Sequence, residues 1–148
     1  MLTAGDLMTV NPDAISPETS LREIIGLMKE EGYRHLPVVD EQGKVIGIVT
    51  DRDVRLVMNS PVILHDRQQD ELLLDKVTAE SIMTPNPVTI TPDTPAYRAA
   101  EMLSIYKFGA LPVVDNDVLV GILTVTDFLD HFASGQSKNV IEQQSMGQ

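Results

Sequence analysis

Residues 47–53 read Gly-Ile-Val-Thr-Asp-Arg-Asp, and residues 121–127 read Gly-Ile-Leu-Thr-Val-Thr-Asp. Thr followed three positions later by an acid is the pattern of a capping box. The hydroxyl takes an amide of the first helical turn, and the carboxylate reaches back to the cap amide. The same atoms can serve a ligand. A helix N-terminus offers N–H donors to a phosphate, and Thr50 or Thr124 adds a hydroxyl. Asp53 or Asp127 can accept hydrogen bonds from both hydroxyls of a ribose, as an acidic residue does in dinucleotide-binding folds. Gly47 and Gly121 would leave room on the adjacent strand for a flat base, or simply allow close strand packing.

Other chemistries find little footing. The sequence has no cysteine, so neither a disulfide framework nor a thiolate metal site is available. His35, His65 and His131 lack metal-ligand spacing. No Gly-x-x-x-x-Gly-Lys or Gly-x-Gly-x-x-Gly loop occurs, and no activated nucleophile stands out. Eleven Lys and Arg against 22 Asp and Glu give a net charge of −11, which disfavours nucleic acid and anionic membrane as partners. No apolar run is long enough to span a bilayer and no signal peptide is evident, so the default expectation is a cytoplasmic protein. These absences point to a binding module rather than an enzyme.

The paired phrases belong to a longer internal repeat. From residue 2 to residue 40, 14 of 39 positions are identical to the residue 75 later, including Leu36-Pro37-Val38-Val39-Asp40 against Leu111-Pro112-Val113-Val114-Asp115. One residue is lost in the following turn, and the glycine phrases align at a shift of 74. Each copy parses alike. A proline-punctuated extended segment gives a short strand around Ala14 and Ile15. Thr19 then reads as a helix N-cap, and its partner Thr94 precedes Pro95 at a first helical position. Leu21, Ile24, Ile25 and Met28 recur at helical spacing, with Gly32 as the stop. A buried Leu-Pro-Val-Val-Asp strand, a tight turn, the Gly-containing strand and a second helix complete a β-α-β-β-α unit. The expected organisation is repeat 1 at 2–58, a partly helical linker at 59–76, repeat 2 at 77–133 and a flexible tail at 134–148. Such a unit is marginal alone, so the fold class is α+β, with two copies packed sheet to sheet about a pseudo-two-fold axis.

With these phrases in this order in both copies, the chain resembles a tandem pair of CBS domains, a Bateman module. The resemblance implies a regulatory module that binds adenosine-containing ligands between the copies: AMP, ADP, ATP, S-adenosylmethionine or NAD. It also implies a homodimer that signals to a separate, unidentified downstream protein. It places Asp53 and Asp127 at the family's ribose position, with Thr50 and Thr124 beside it. The residues before the Leu-Pro-Val-Val-Asp strands, Arg34 and His35 in copy one, face the phosphate clefts in the family, and Arg52 is a further basic candidate. Copy two has Gly109, Ala110 and Thr126 there, so the two clefts differ. Thr9, Ala14, Thr84 and Thr89 would line the base and phosphate, while Pro12 and Pro87 fix backbone shape. The alternative is a ligand-free scaffolding dimer whose Thr-x-x-Asp pairs are only caps.

Overall fold

In the computed structural model, which describes residues 1–59 and 67–146, the chain forms two matching halves joined across their sheets. A one-turn helix α1 (Ala4–Leu7) leads into strand β1 (Thr9–Val10), helix α2 (Leu21–Glu31), hairpin strands β2 (His35–Val39) and β3 (Val45–Thr50), and helix α3 (Asp51–Met58). Helix α4 (Arg67–Lys76) follows. The pattern then repeats as α5 (Ala79–Ile82), β4 (Thr84–Pro85), α6 (Ala96–Tyr106), β5 (Ala110–Asp115), β6 (Val118–Thr124) and α7 (Val125–Met146).

The two sheets are not built by the two repeats separately. Their orders are β1-β6-β5 and β2-β3-β4, so each repeat lends its first short strand to the other's hairpin. Thr9 pairs with Ile122 and Val10 with Gly121, while Thr84 pairs with Ile48 and Pro85 with Gly47. The segment expected as a strand around Ala14 and Ile15 is reduced to one parallel bridge, Ile15 to Val38, mirrored by Ile90 to Val113. Asn11 and Asn86, both at φ 48, turn the chain away after the exchanged strands. Asparagine tolerates that left-handed region better than most residues. The β5–β6 hairpin closes on Asn116 and Asp117 at φ 51 and 68, the two positive values a type I′ turn requires. The hairpin ends also meet: Val45 N–H donates to the Asp117 carbonyl at 3.2 Å, and Leu119 N–H to Gly43 at 3.1 Å.

Each half buries its own apolar cluster. Leu21, Ile24, Leu36, Val38 and Val49 pack in one, and Ala99, Leu103, Leu111, Val113 and Leu123 in the other. A small third cluster, Ile48, Ala110 and Ile122, sits at the seam. Full burial of a Leu or Ile contributes about 1.5–3 kcal/mol, so these clusters fix the orientation of both hairpins.

Three local readings are revised. The N-cap of α2 is Ser20, whose hydroxyl accepts from Glu23 N–H, whereas the Thr19 hydroxyl is taken by Ser16 N–H at 3.0 Å. In repeat 2 the equivalent of Ser20 is Pro95, so proline occupies the cap position itself and α6 begins at Ala96. Helix α7 runs to Met146, through most of the stretch read as a tail. No proline interrupts it, and a lone interior glycine such as Gly135 costs only about 1 kcal/mol. Gly32, at φ 74, ends α2 as the spacing indicates. Helix α4 lies on α2, where Arg22 bonds Asp75 at 2.9 Å and also pairs with Glu71.

Candidate ligand cleft

Both Thr-x-x-Asp phrases form capping boxes. Thr50 N–H donates to Asp53 Oδ2 at 2.8 Å, and Asp53 N–H to Thr50 Oγ1 at 3.2 Å; Thr124 and Asp127 repeat these contacts at the same distances. Asp51 N–H is also occupied, donating to the Arg34 carbonyl at 2.9 Å. Among the first-turn amides of α3, the one at Arg52 is thus left for a ligand. The cap uses Oδ2 of Asp53, and Oδ1 takes no hydrogen bond among the described residues. Capping and ligand contact therefore use different atoms and can coexist.

Beside Thr50 a cleft of about 290 Å³ opens between the repeats. Repeat 1 supplies His35, Ile48 and Thr50. Repeat 2 supplies Thr84, Asn86, Pro87 and Val88 from its exchanged arm, and Lys107, Phe108, Gly109 and Ala110 from the loop into β5. The lining holds one cation, Lys107, four neutral polar side chains, five apolar side chains and no carboxylate, in a chain of net charge −11. The strand exchange makes this composite wall, because it carries the repeat-2 arm across to the β3–α3 junction of repeat 1.

His35 is half-buried, and burial holds its imidazole below the usual value, against opposing pressure from Asp51. Its ring lies on Gly109. A Cβ at that position would stand 2.4 Å from His35 Nε2, so glycine is required for the ring to occupy the cleft floor.

The structure brings His35, Thr50, Thr84, Gly109 and Ala110 together around this cleft. Thr89 lines a neighbouring cavity of about 310 Å³ that shares Asn86 and Pro87 with it. Asp53, bonded to the Thr50 amide, adjoins the cleft without being among its lining residues. Arg34 and Arg52 are exposed. By the internal repeat, Thr9, Arg34 and Thr124 correspond to the lining residues Thr84, Gly109 and Thr50, Ala14 to Thr89, and Asp127 to Asp53. Of the two readings of the glycines, the structure supports close strand packing. A Cβ at Gly47 would lie 2.2 Å from Met83 Sδ, and one at Gly121 2.3 Å from Met8 Sδ. The space over these glycines is filled by methionine thioethers that seat the exchanged strands. Pro87, read as shaping backbone only, is itself wall.

Sequence reasoning missed Asn86, Val88, Lys107 and Phe108. Asn86 and Lys107 both sit at positive φ, at 48 and 57, a constraint that a non-glycine residue does not advertise. Val88 and Phe108 are apolar residues adjoining singled-out positions and looked like core. His65 lies outside the described residues. Among the described residues no group of three His, Asp or Glu could hold a metal, and no helix is long and apolar enough to cross a membrane.

Comparison with known proteins agrees with this architecture. The CBS domain model matches twice, at residues 4–60 and 79–134. A CBS domain-containing protein of Dictyostelium discoideum is 37% identical over 132 residues, covering 87% of this chain and 86% of its own. The chain also matches inosine-5′-monophosphate dehydrogenases of Korarchaeum cryptofilum and Aquifex aeolicus, but spans only 21% and 23% of their lengths. Among solved structures, CBSX2 in complex with AMP superposes with a TM-score of 0.75 at 30% identity, covering 93% of this chain and 99% of that one. The CBS domain pair of protein MJ0100, in complex with 5′-methylthioadenosine and S-adenosylmethionine, superposes at 0.74 and 28% identity, covering 91% and 98%. With two matched copies and an exchanged-strand body of this form, the chain belongs to the CBS-domain family as a tandem pair.

Proposed function

We propose that this chain is a regulatory module without catalysis of its own, which senses an adenosine-containing ligand in the cleft beside Thr50. The observation that carries the reading is the composite wall. Val88 and Phe108 offer apolar faces to a base, and Thr50 and Lys107 offer donors to an anionic group. A ligand seated there touches both repeats, so its binding energy acts on how they pack, and a signal can pass to a separate protein. The ligands of CBSX2 and MJ0100, AMP and S-adenosylmethionine with methylthioadenosine, support the adenosine class. A cleft of about 290 Å³ is at the small end of ligand pockets, which favours one nucleoside or nucleotide over NAD. Asp53 Oδ1 is the candidate partner of the ribose hydroxyls. A thermal-shift panel with AMP, ADP, ATP, S-adenosylmethionine and NAD tests this. A true ligand at one hundred times its Kd adds about 2.7 kcal/mol, and a panel without any shift would reject the sensor.

We propose further that the module is a homodimer. Leu56 on α3 and Leu129 and Phe132 on α7 are each more than 60% exposed, an apolar set that a second copy would cover.

A further inference from the structure

The two clefts are related by the repeat but not by their chemistry. Where the first has Val88 and Phe108, the second has Asp13 and Tyr33, and the Tyr33 phenol donates a hydrogen bond to Asp13 Oδ2. The first pair leaves the gap between arm and loop open, whereas the second pair ties arm to loop across the corresponding gap. Arg34 aligns with Gly109, and Ala110 with His35, so where the first cleft has a ring on glycine the second has a guanidinium beside alanine. The second cleft has thus gained a carboxylate in its wall, hydrogen-bonded across the gap. Resting on the adenosine reading above, we propose that each chain binds a single nucleotide, in the cleft of Thr50, and that the Asp13–Tyr33 pair latches the second cleft against a nucleotide.

The physical reasons are two. A nucleotide entering the second cleft would have to break the Asp13–Tyr33 bond and leave a carboxylate near its own negative charge. The latch is also insensitive to ordinary pH. Hydrogen bonding to Asp13 pushes the Tyr33 phenol up to about 12, so it remains a donor throughout the physiological range.

Calorimetric titration of the full chain with AMP tests the proposal through stoichiometry. One AMP per chain is expected for the parent. Asp13→Val combined with Tyr33→Phe copies the open cleft and should raise the value toward two, and Tyr33→Phe alone should begin to reveal a second, weaker phase. Melting curves without AMP verify that the variants fold. Two molecules per parent chain would overturn the latch while leaving the adenosine reading intact. So would a value of one that stays at one in both folded variants. No binding of any adenosine compound would instead overturn the reading itself, and the latch with it.

Discussion

Replacing Thr50 by Val keeps the side-chain shape and removes one oxygen, and Thr124→Val makes the same change in the other repeat. Both hydroxyls accept a cap hydrogen bond at 3.2 Å. Loss of an N-cap costs about 1 kcal/mol, which for a domain of this size lowers the melting temperature by roughly 4 °C. The two variants should therefore be destabilised alike without ligand. Their ligand effects should separate, because only Thr50 lines the open cleft. A hydrogen bond to a charged phosphate is worth about 1.5–3 kcal/mol, so Thr50→Val should weaken AMP by roughly 10- to 150-fold and Thr124→Val hardly at all. Scanning fluorimetry without ligand and calorimetry with AMP measure the two quantities independently. Equal weakening by both variants, or an unchanged Kd for Thr50→Val, would refute the reasoning.

Other outcomes follow from the same geometry. Asp53→Asn keeps an accepting oxygen for the cap but loses the charge-assisted bonds to ribose, so apo stability should hold while AMP affinity falls at least tenfold by calorimetry. Gly47→Ala should cost about 1–2 kcal/mol in urea unfolding through collision with Met83, and Met83→Ala in the same chain should make the added methyl group nearly neutral. Burial lowers the His35 pKa from 6.5, so the unfolded chain binds that proton more readily than the folded one. Stability should be at its fullest above that value and decline as pH falls through it, down to the folded-state pKa, and His35→Gln should flatten that part of the Tm–pH curve. Leu129→Glu with Phe132→Glu should convert a dimer to a monomer in light scattering.

Much of the frame was legible because it depends on local, directional chemistry. Thr50 with Asp53, and Thr124 with Asp127, declare a cap by spacing, and Gly32 declares a left-handed stop. The strand exchange was not legible, since two-residue strands such as Thr9–Val10 have no period to read. Nor was the use of Gly47, because its neighbour Met83 is 36 residues away in sequence and is brought near only by that exchange. Thr19 was taken for Ser20 because adjacent hydroxyl residues both suit a cap, and the choice falls to Ser16, which claims the Thr19 oxygen. The open cleft was half visible: His35, Thr50 and Thr84 are polar and stood out, whereas Val88 and Phe108 are indistinguishable from core until the fold exposes them to the gap.

The exchanged strands also bear on descent. A single-repeat ancestor would leave its Gly-containing strand without a partner, and two identical chains could satisfy each other by trading arms. Such an assembly carries two clefts of enforced identity, because any substitution appears in both. Joining the copies in one gene removes that constraint. A change at position 13 or 33 now alters one cleft alone, while the capping boxes, which every copy needs in order to fold, stay duplicated. The sequence has that form: Thr-x-x-Asp appears twice, whereas Asp13 and Tyr33 face Val88 and Phe108. On the single-nucleotide proposal, the duplicated frame then carries one open cleft and one bridged by Asp13 and Tyr33.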